Sequence, residues 1–197
     1  FFQLGFGLKK AHHKTKSHGN PFPIVGDYFT SFYENHLPFE LTNAQKRVLK
    51  EIRLDMKKPI QMNRLLQGDV GSGKTMVALL TMLITLDNGF QSCLMAPTEI
   101  LAQQHYAGIK DLLKDTEIKV SILTGSVKAS ARKIIHQELE NGELSILIGT
   151  HAVLEDKVKF KNLGLAIIDE QHRFGVAQRA KLWAKNRIPP HILVMTA

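Results

Sequence analysis

Two short stretches hold residue types whose spacing could do chemistry. The first is GDVGSGKT, residues 68–75, which fits G-x-x-x-x-G-K-[ST] at every fixed position. Glycines so placed let successive backbone N–H groups turn toward one anion, and a helix opening directly afterwards adds the positive end of its dipole. A lysine at position 74 would reach the β- and γ-phosphates, and the Thr75 hydroxyl would ligate Mg²⁺. Gly68, Asp69, Val70, Gly71, Ser72, Gly73, Lys74 and Thr75 are therefore expected to line a nucleoside triphosphate. The second stretch is LAIIDEQHRFG, residues 165–175, an apolar run that stops at two adjacent carboxylates. A buried strand ending in negative charge calls for a positive partner. Beside a phosphate loop, Asp169 would be compensated by the metal. Glu170, one residue on, would orient or deprotonate an attacking water. Lys74, Asp169 and Glu170 are the candidate catalytic residues, and Thr75 and Asp169 the candidate metal ligands.

For these stretches to meet, the chain must bring distant segments to one edge. Six short apolar runs each end in Gly, Pro, Thr or Asp: RLLQGD, SCLMAPT, VSILTG, SILIGT, LAIIDE and ILVMTA. Helical stretches are expected at 73–87, 98–114 and about 129–140, the last closed by Asn141 and Gly142. Thr42 is placed to cap an earlier helix whose apolar face is Ala44, Val48, Ile52 and Met56. Strands alternating with helices predict an α/β fold, a mostly parallel sheet covered by helices on both faces. Such sheets gather their ligand sites at the carboxyl ends of the strands. Residues 1–40 differ in composition and are expected as a helix end, a loop and a short helix within VGDYFTSFYENH. His12, His13 and His18 lie in a polar basic patch without acidic or cysteine company, which fits a solvated loop rather than a metal site.

Once DEQH follows a phosphate loop, the chain resembles the superfamily 2 helicases and translocases, whose motif II has this form. Further pieces stand in the order of that superfamily. LTNAQ (41–45) resembles its adenine-reading motif, APTEILAQQH (96–105) its motif Ia and TGS (124–126) its motif Ib. GTH (149–151) resembles motif Ic and MTA (195–197) the start of motif III. The wording of LLQGDVGSGKT, MAPTEILAQQH, GTHAVL and IIDEQHRFGVAQR is similar to the branch-migrating DNA helicases in particular, with Ile167 where these carry Val. The resemblance runs along nearly the whole chain.

The resemblance implies a RecA-like P-loop NTPase domain, the first of two motor domains, at 41–197, entered by a linker helix and loop at 1–40. It implies ATP and Mg²⁺ as cofactors, with Gln45 reading adenine. Thr98, Gly125, Ser126, Thr150 and His151 would face the nucleic-acid track, which Lys128, Arg132 and Lys133 could extend. Gln171, His172 and Thr196 would couple the ATP site to the DNA site. No chemical role follows for Arg173 and Phe174. The arginine fingers would lie in a second RecA-like domain beyond Ala197, and a fork-splitting wedge before Phe1. The implied partner is branched double-stranded DNA, handled by a monomer in the bacterial cytoplasm close to the nucleoid. Two alternatives stand beside this. One is the transcription-repair coupling translocase, which typically has Phe where Ser72 stands. The other is a non-motor module whose nucleotide only switches DNA affinity, and which would not need Glu170.

Composition is consistent with these expectations. Lys and Arg outnumber Asp and Glu by 26 to 18, for a net charge of +8 and a pI near 9.6, which suits a polyanionic partner. Apolar residues at 44% support a packed core. Cys93 is the only cysteine, which excludes a disulfide framework and fits a reducing compartment. The longest apolar stretch, MVALLTMLITL, is too short to span a bilayer. No secretory signal is visible, and without an initiating Met the chain, opening as if mid-helix, reads as a piece of a longer protein.

Overall fold

The computed structural model describes residues 7–10, 18–169, 180–182 and 184–197. Helix α1 is Asp27–Asn35 and α2 is Asn43–Met56. Strand β1 is Gly7–Lys10, β2 Asn63–Gln67, β3 Gln91–Met95 and β4 Val120–Leu123. Strand β5 is Ile146–Gly149, β6 Leu163–Asp169 and β7 His191–Thr196. Helices α3 (Lys74–Asp87), α4 (Glu99–Leu112) and α5 (Ala129–Asn141) connect them, with a 3-10 turn at His151–Leu154. All of these strands form one sheet in the order β1-β2-β7-β6-β3-β5-β4. The six strands from β2 to β7 are mutually parallel, as the alternation of strands and helices requires.

The strands at the centre are near-continuous apolar runs because both faces are covered. Every residue of β3 and β5 is buried, and β6 is buried as far as Asp169. Alternate side chains go to opposite faces. Leu94, Ile148, Ile167 and Leu193 join α1, α2, α3 and α4 on one side, whereas Cys93, Leu147, Ile168 and Val194 meet α5 and the 3-10 turn on the other. The apolar stretch noted in the sequence is α3, buried from Met76 to Leu86. Its threonines donate back to carbonyls one turn earlier, Thr81 to Val77 at 2.7 Å and Thr85 to Thr81 at 3.0 Å, so they fit a dry interior. Among the described residues no helix is long and apolar enough to cross a membrane.

The amino-terminal segment departs from expectation. Gly7–Lys10, expected as the end of a helix, is a strand pairing antiparallel with β2 from Gly7↔Gln67 to Lys10↔Arg64. Strand β2 would otherwise leave its outer N–H and C=O groups bare, and this pairing satisfies them. No local propensity announces it. Helix α1 forms where expected, but its amino end is capped from outside: the Asp87 carboxylate at the end of α3 accepts from Tyr28 N at 2.9 Å and Phe29 N at 3.2 Å. Asn88 binds both the N–H and the carbonyl of Ile24, at 3.1 and 2.9 Å. Phe22 and Phe32 are buried in the same core as the sheet. Packing is therefore continuous across residues 40 and 41.

Candidate active site

The six parallel strands turn their carboxyl ends to one edge, and most of the described candidate residues stand there. After β2 comes the glycine-rich loop. Gly71 and Gly73 have φ of 80° and 83°, the left-handed region that glycine adopts without penalty. At Gly73 the demand is double, because a Cβ there would also sit 2.3 Å from Gln45 Nε2. Lys74 opens α3 and donates to two carbonyls of its own loop, Gly68 O at 2.5 Å and Asp69 O at 2.9 Å. An ammonium is thus held across the mouth of the loop. The Ser72 hydroxyl is buried and has no partner among the described residues. Val70 is 90% exposed at the tip.

Gln45 lies beneath this loop. Thr42 and Gln45 form a capping box on α2: Gln45 N donates to Thr42 Oγ1 at 3.2 Å and Thr42 N to Gln45 Oε1 at 2.9 Å. The same amide donates through Nε2 to Ser72 O at 2.9 Å. With only 4% of the residue exposed, Gln45 supports the glycine-rich loop. Contact with a base has to come from its remaining N–H and lone pair.

Thr196 contributes through its backbone, its carbonyl accepting from Gly68 N at 3.2 Å. The start of the phosphate loop is thereby tied to the end of β7. Asp169 ends β6, the strand on the other side of β7, so its carboxylate arrives at the same edge as the loop. It is not solitary. His105 on α4 meets Asp169, with Nε2 and Oδ2 2.6 Å apart and side chains 13% and 14% exposed. Glu170, Gln171 and His172, and with them Arg173 and Phe174, lie outside the described residues, as do His12 and His13.

A triphosphate and Mg²⁺ fit what is present. The space around Gly71 is open, with nothing within 4 Å of where its Cβ would stand. The loop already holds a cation, Lys74, against its carbonyls. The Thr75 hydroxyl and Asp169 carboxylate are hard oxygen donors of the kind Mg²⁺ prefers.

The loops after β3, β4 and β5 form the rest of the edge, and here some expectations change. Thr98 caps α4, its hydroxyl accepting from Leu101 N at 3.3 Å. The Glu99 carboxylate accepts from Thr124 Oγ1 at 2.8 Å and from the Ser126 hydroxyl. Those two hydrogen bonds, Ser126 first and Thr124 second, hold its carboxyl below the usual carboxylate range. Ser126 and Gly125 are exposed, as is His151. Thr150, expected on the nucleic-acid face, is instead 5% exposed, since the close packing of β5 on β4 draws its N–H onto Leu123 O. Arg132 also departs from expectation. It turns inward to donate to Thr124 O at 2.7 Å, to Val127 O at 3.2 Å and to Glu155, and so braces the loop after β4 instead of extending a basic track. Lys128 and Lys133 remain exposed.

Sequence reasoning missed His105 and Glu99. Both stand in the quoted APTEILAQQH, but which loops they reach depends on how α4 lies on the sheet. The only signal available was two polar residues on a helix that starts at a strand's carboxyl end.

Comparison with known proteins agrees with this architecture. A family profile described as DEAD/DEAH box helicase matches residues 42–197. The chain is 49% identical over all 197 residues to the ATP-dependent DNA helicase RecG of Aquifex aeolicus strain VF5, covering 25% of that protein. It is 54% identical over 161 residues to the RecG of Bacillus subtilis strain 168, covering 82% of this chain and 24% of the relative. It therefore spans about a quarter of the length of these relatives. Among solved structures, RecG bound to a three-way DNA junction superposes with a TM-score of 0.79 at 46% identity, over 90% of this chain and 24% of that one. The helicase MrfA superposes with a TM-score of 0.68 at 19% identity, over 88% of this chain and 29% of that one, which is a likeness of fold.

Proposed function

The chain belongs to the DEAD/DEAH box helicases, and from that premise we propose that it is the ATP-binding motor domain of a DNA helicase acting on branched DNA. One observation carries the proposal: the phosphate loop and Asp169 reach the same sheet edge from strands flanking β7, and β7 is hydrogen-bonded to the first residue of the loop. The similarity to RecG along the whole chain supports the choice of branched DNA, such as replication forks and Holliday junctions in recombination and repair.

In this function Lys74 would bind the β- and γ-phosphates, and Thr75 and Asp169 would hold Mg²⁺, which would supply positive charge opposite the phosphates. Gly68 to Thr75 supply backbone N–H groups, and Gln45 both props the loop and meets the adenine. Glu170 orients or deprotonates the water. Gly125, Ser126, His151 and the capping Thr98 contact the DNA backbone, and such contacts position a strand without reading its sequence. Gln171, His172 and Thr196 transmit between the two sites. The arginine fingers come from a second RecA-like domain, and the wedge from a domain preceding this one.

The test is steady-state ATP hydrolysis by the full-length protein, with and without forked DNA. Lys74→Ala should lose nucleotide binding and turnover together. Glu170→Gln keeps the shape of the site and removes the base, so it should bind ATP and stall. Turnover in Glu170→Gln within a few-fold of wild type would remove Glu170 from its role. Wild-type turnover indifferent to forked DNA would favour a nucleotide-switched binding module over a motor.

A further inference from the structure

His105 stands on a helix that is fixed at several points. Thr98 caps its start, Glu99 is bonded to Thr124 and Ser126, and Ile109 and the following Leu113 are buried in the core. From Glu99 to His105 is about 9 Å along the helix at 1.5 Å per residue. Helix α4 therefore reaches from the loop expected to face DNA to the carboxylate expected to hold the metal. The imidazole has little freedom to leave Asp169, because both side chains are largely withdrawn from water. Since a carboxylate oxygen only accepts, Nε2 carries the proton in this contact and donates to Oδ2.

On the nucleotide reading above, we propose that His105 is a positioning residue for Asp169. It occupies one carboxylate oxygen with a hydrogen bond and fixes the rotamer in which the other is offered to Mg²⁺. A carboxylate at a strand end, held only by its own backbone, would distribute over several rotamers and lose part of each metal-binding event to reordering. Partners of this kind are commonly worth 10- to 100-fold in metal affinity (roughly, by removal of the partner). The role differs from that assigned to Gln171 and His172, which follow Asp169 in sequence, because His105 comes from a separate helix whose other end touches Ser126.

The experiment uses full-length protein and a fluorescent, non-hydrolysable ATP analogue, titrated with Mg²⁺ so that no turnover is required. His105→Asn retains a polar side chain too short to reach Asp169. His105→Gln can place an amide N–H close to where Nε2 stands. The expected result is that His105→Asn raises the Mg²⁺ concentration for half-maximal binding by about 10- to 100-fold. His105→Gln should recover most of that shift, with thermal unfolding of both variants alike. Equal Mg²⁺ dependence in wild type and His105→Asn would overturn the proposal. So would equal shifts in the two variants, which would make His105 a packing contact only. Absence of Mg²⁺-dependent binding in the wild type is a separate outcome, and would remove the nucleotide reading itself and this inference with it.

Discussion

His191, at the start of β7, has both ring nitrogens used. Nδ1 accepts from Met62 N at 2.8 Å, and Nε2 therefore bears the proton it donates to Asn20 O at 2.7 Å. Burial pushes its pKa down from 6.5 to about 4, against the smaller upward pulls of the Asn20 carbonyl and Asp55. A proton on Nδ1 would face the Met62 N–H, so the folded protein binds that proton less readily than the unfolded chain does. Stability from this site is complete above pH 6.5 and is lost progressively as pH falls from 6.5 to about 4. The loss should approach about 3 kcal/mol at the lower end. Denaturant unfolding across that range should show the slope in wild type, and His191→Gln should flatten it. An unchanged slope in the variant would assign it to other groups.

At the scale of elements, α5 with its N-cap Lys128 divides into inward and outward residues that sequence alone did not separate. Lys128 and Lys133 are exposed, whereas Arg132 is committed to two backbone carbonyls and Glu155. Replacing Lys128 and Lys133 in the full-length protein should weaken binding equally for all DNA sequences. The salt dependence should flatten by about 0.9 of a slope unit for each lost phosphate contact. Arg132→Ala should instead leave the slope alone and destabilise the domain by about 1 kcal/mol, because it strips two partly buried carbonyls of their donor. Fluorescence anisotropy against salt, paired with thermal unfolding, separates the two. A reduced slope with normal stability in Arg132→Ala would return it to the DNA surface.

For the whole molecule, the relevant fact is that the chain spans about a quarter of its relatives. On the function proposed above, the phosphate loop, Thr75 and Asp169 are contained within it, whereas the cationic finger would come from another domain, and such a group is commonly worth about 10³ to 10⁵ in rate. Without the second side of the cleft that this function implies, water would stay in the site and weaken every charge interaction there. DNA would then meet part of the proposed track and fewer phosphates would be neutralised. The 197-residue chain should therefore fold alone, bind Mg²⁺–ATP weakly and show no DNA-stimulated turnover. An ATPase assay on the purified chain, with Lys74→Ala to subtract contaminants, checks this. Robust stimulation by forked DNA would mean that the catalytic set is complete in these residues.

The sequence by itself determined the glycine-rich turn at 68–73, the parallel sheet and the edge where the strands end, because each is written in local spacing. Short apolar runs closed by turn residues, capping residues and glycines at positive φ act over a few positions and are legible there. Thr42 with Gln45 and Gly142 behaved as their types require. Only the tertiary structure decided what the polar side chains of that edge touch. His105 found Asp169, Glu99 found Ser126, Arg132 turned inward, Thr150 was buried, and Gly7–Lys10 became a strand on the bare edge of β2. Each of these depends on the distance between elements far apart in the chain. A hydrogen bond is made or lost within about half an ångström, a tolerance that packing sets and local sequence does not record.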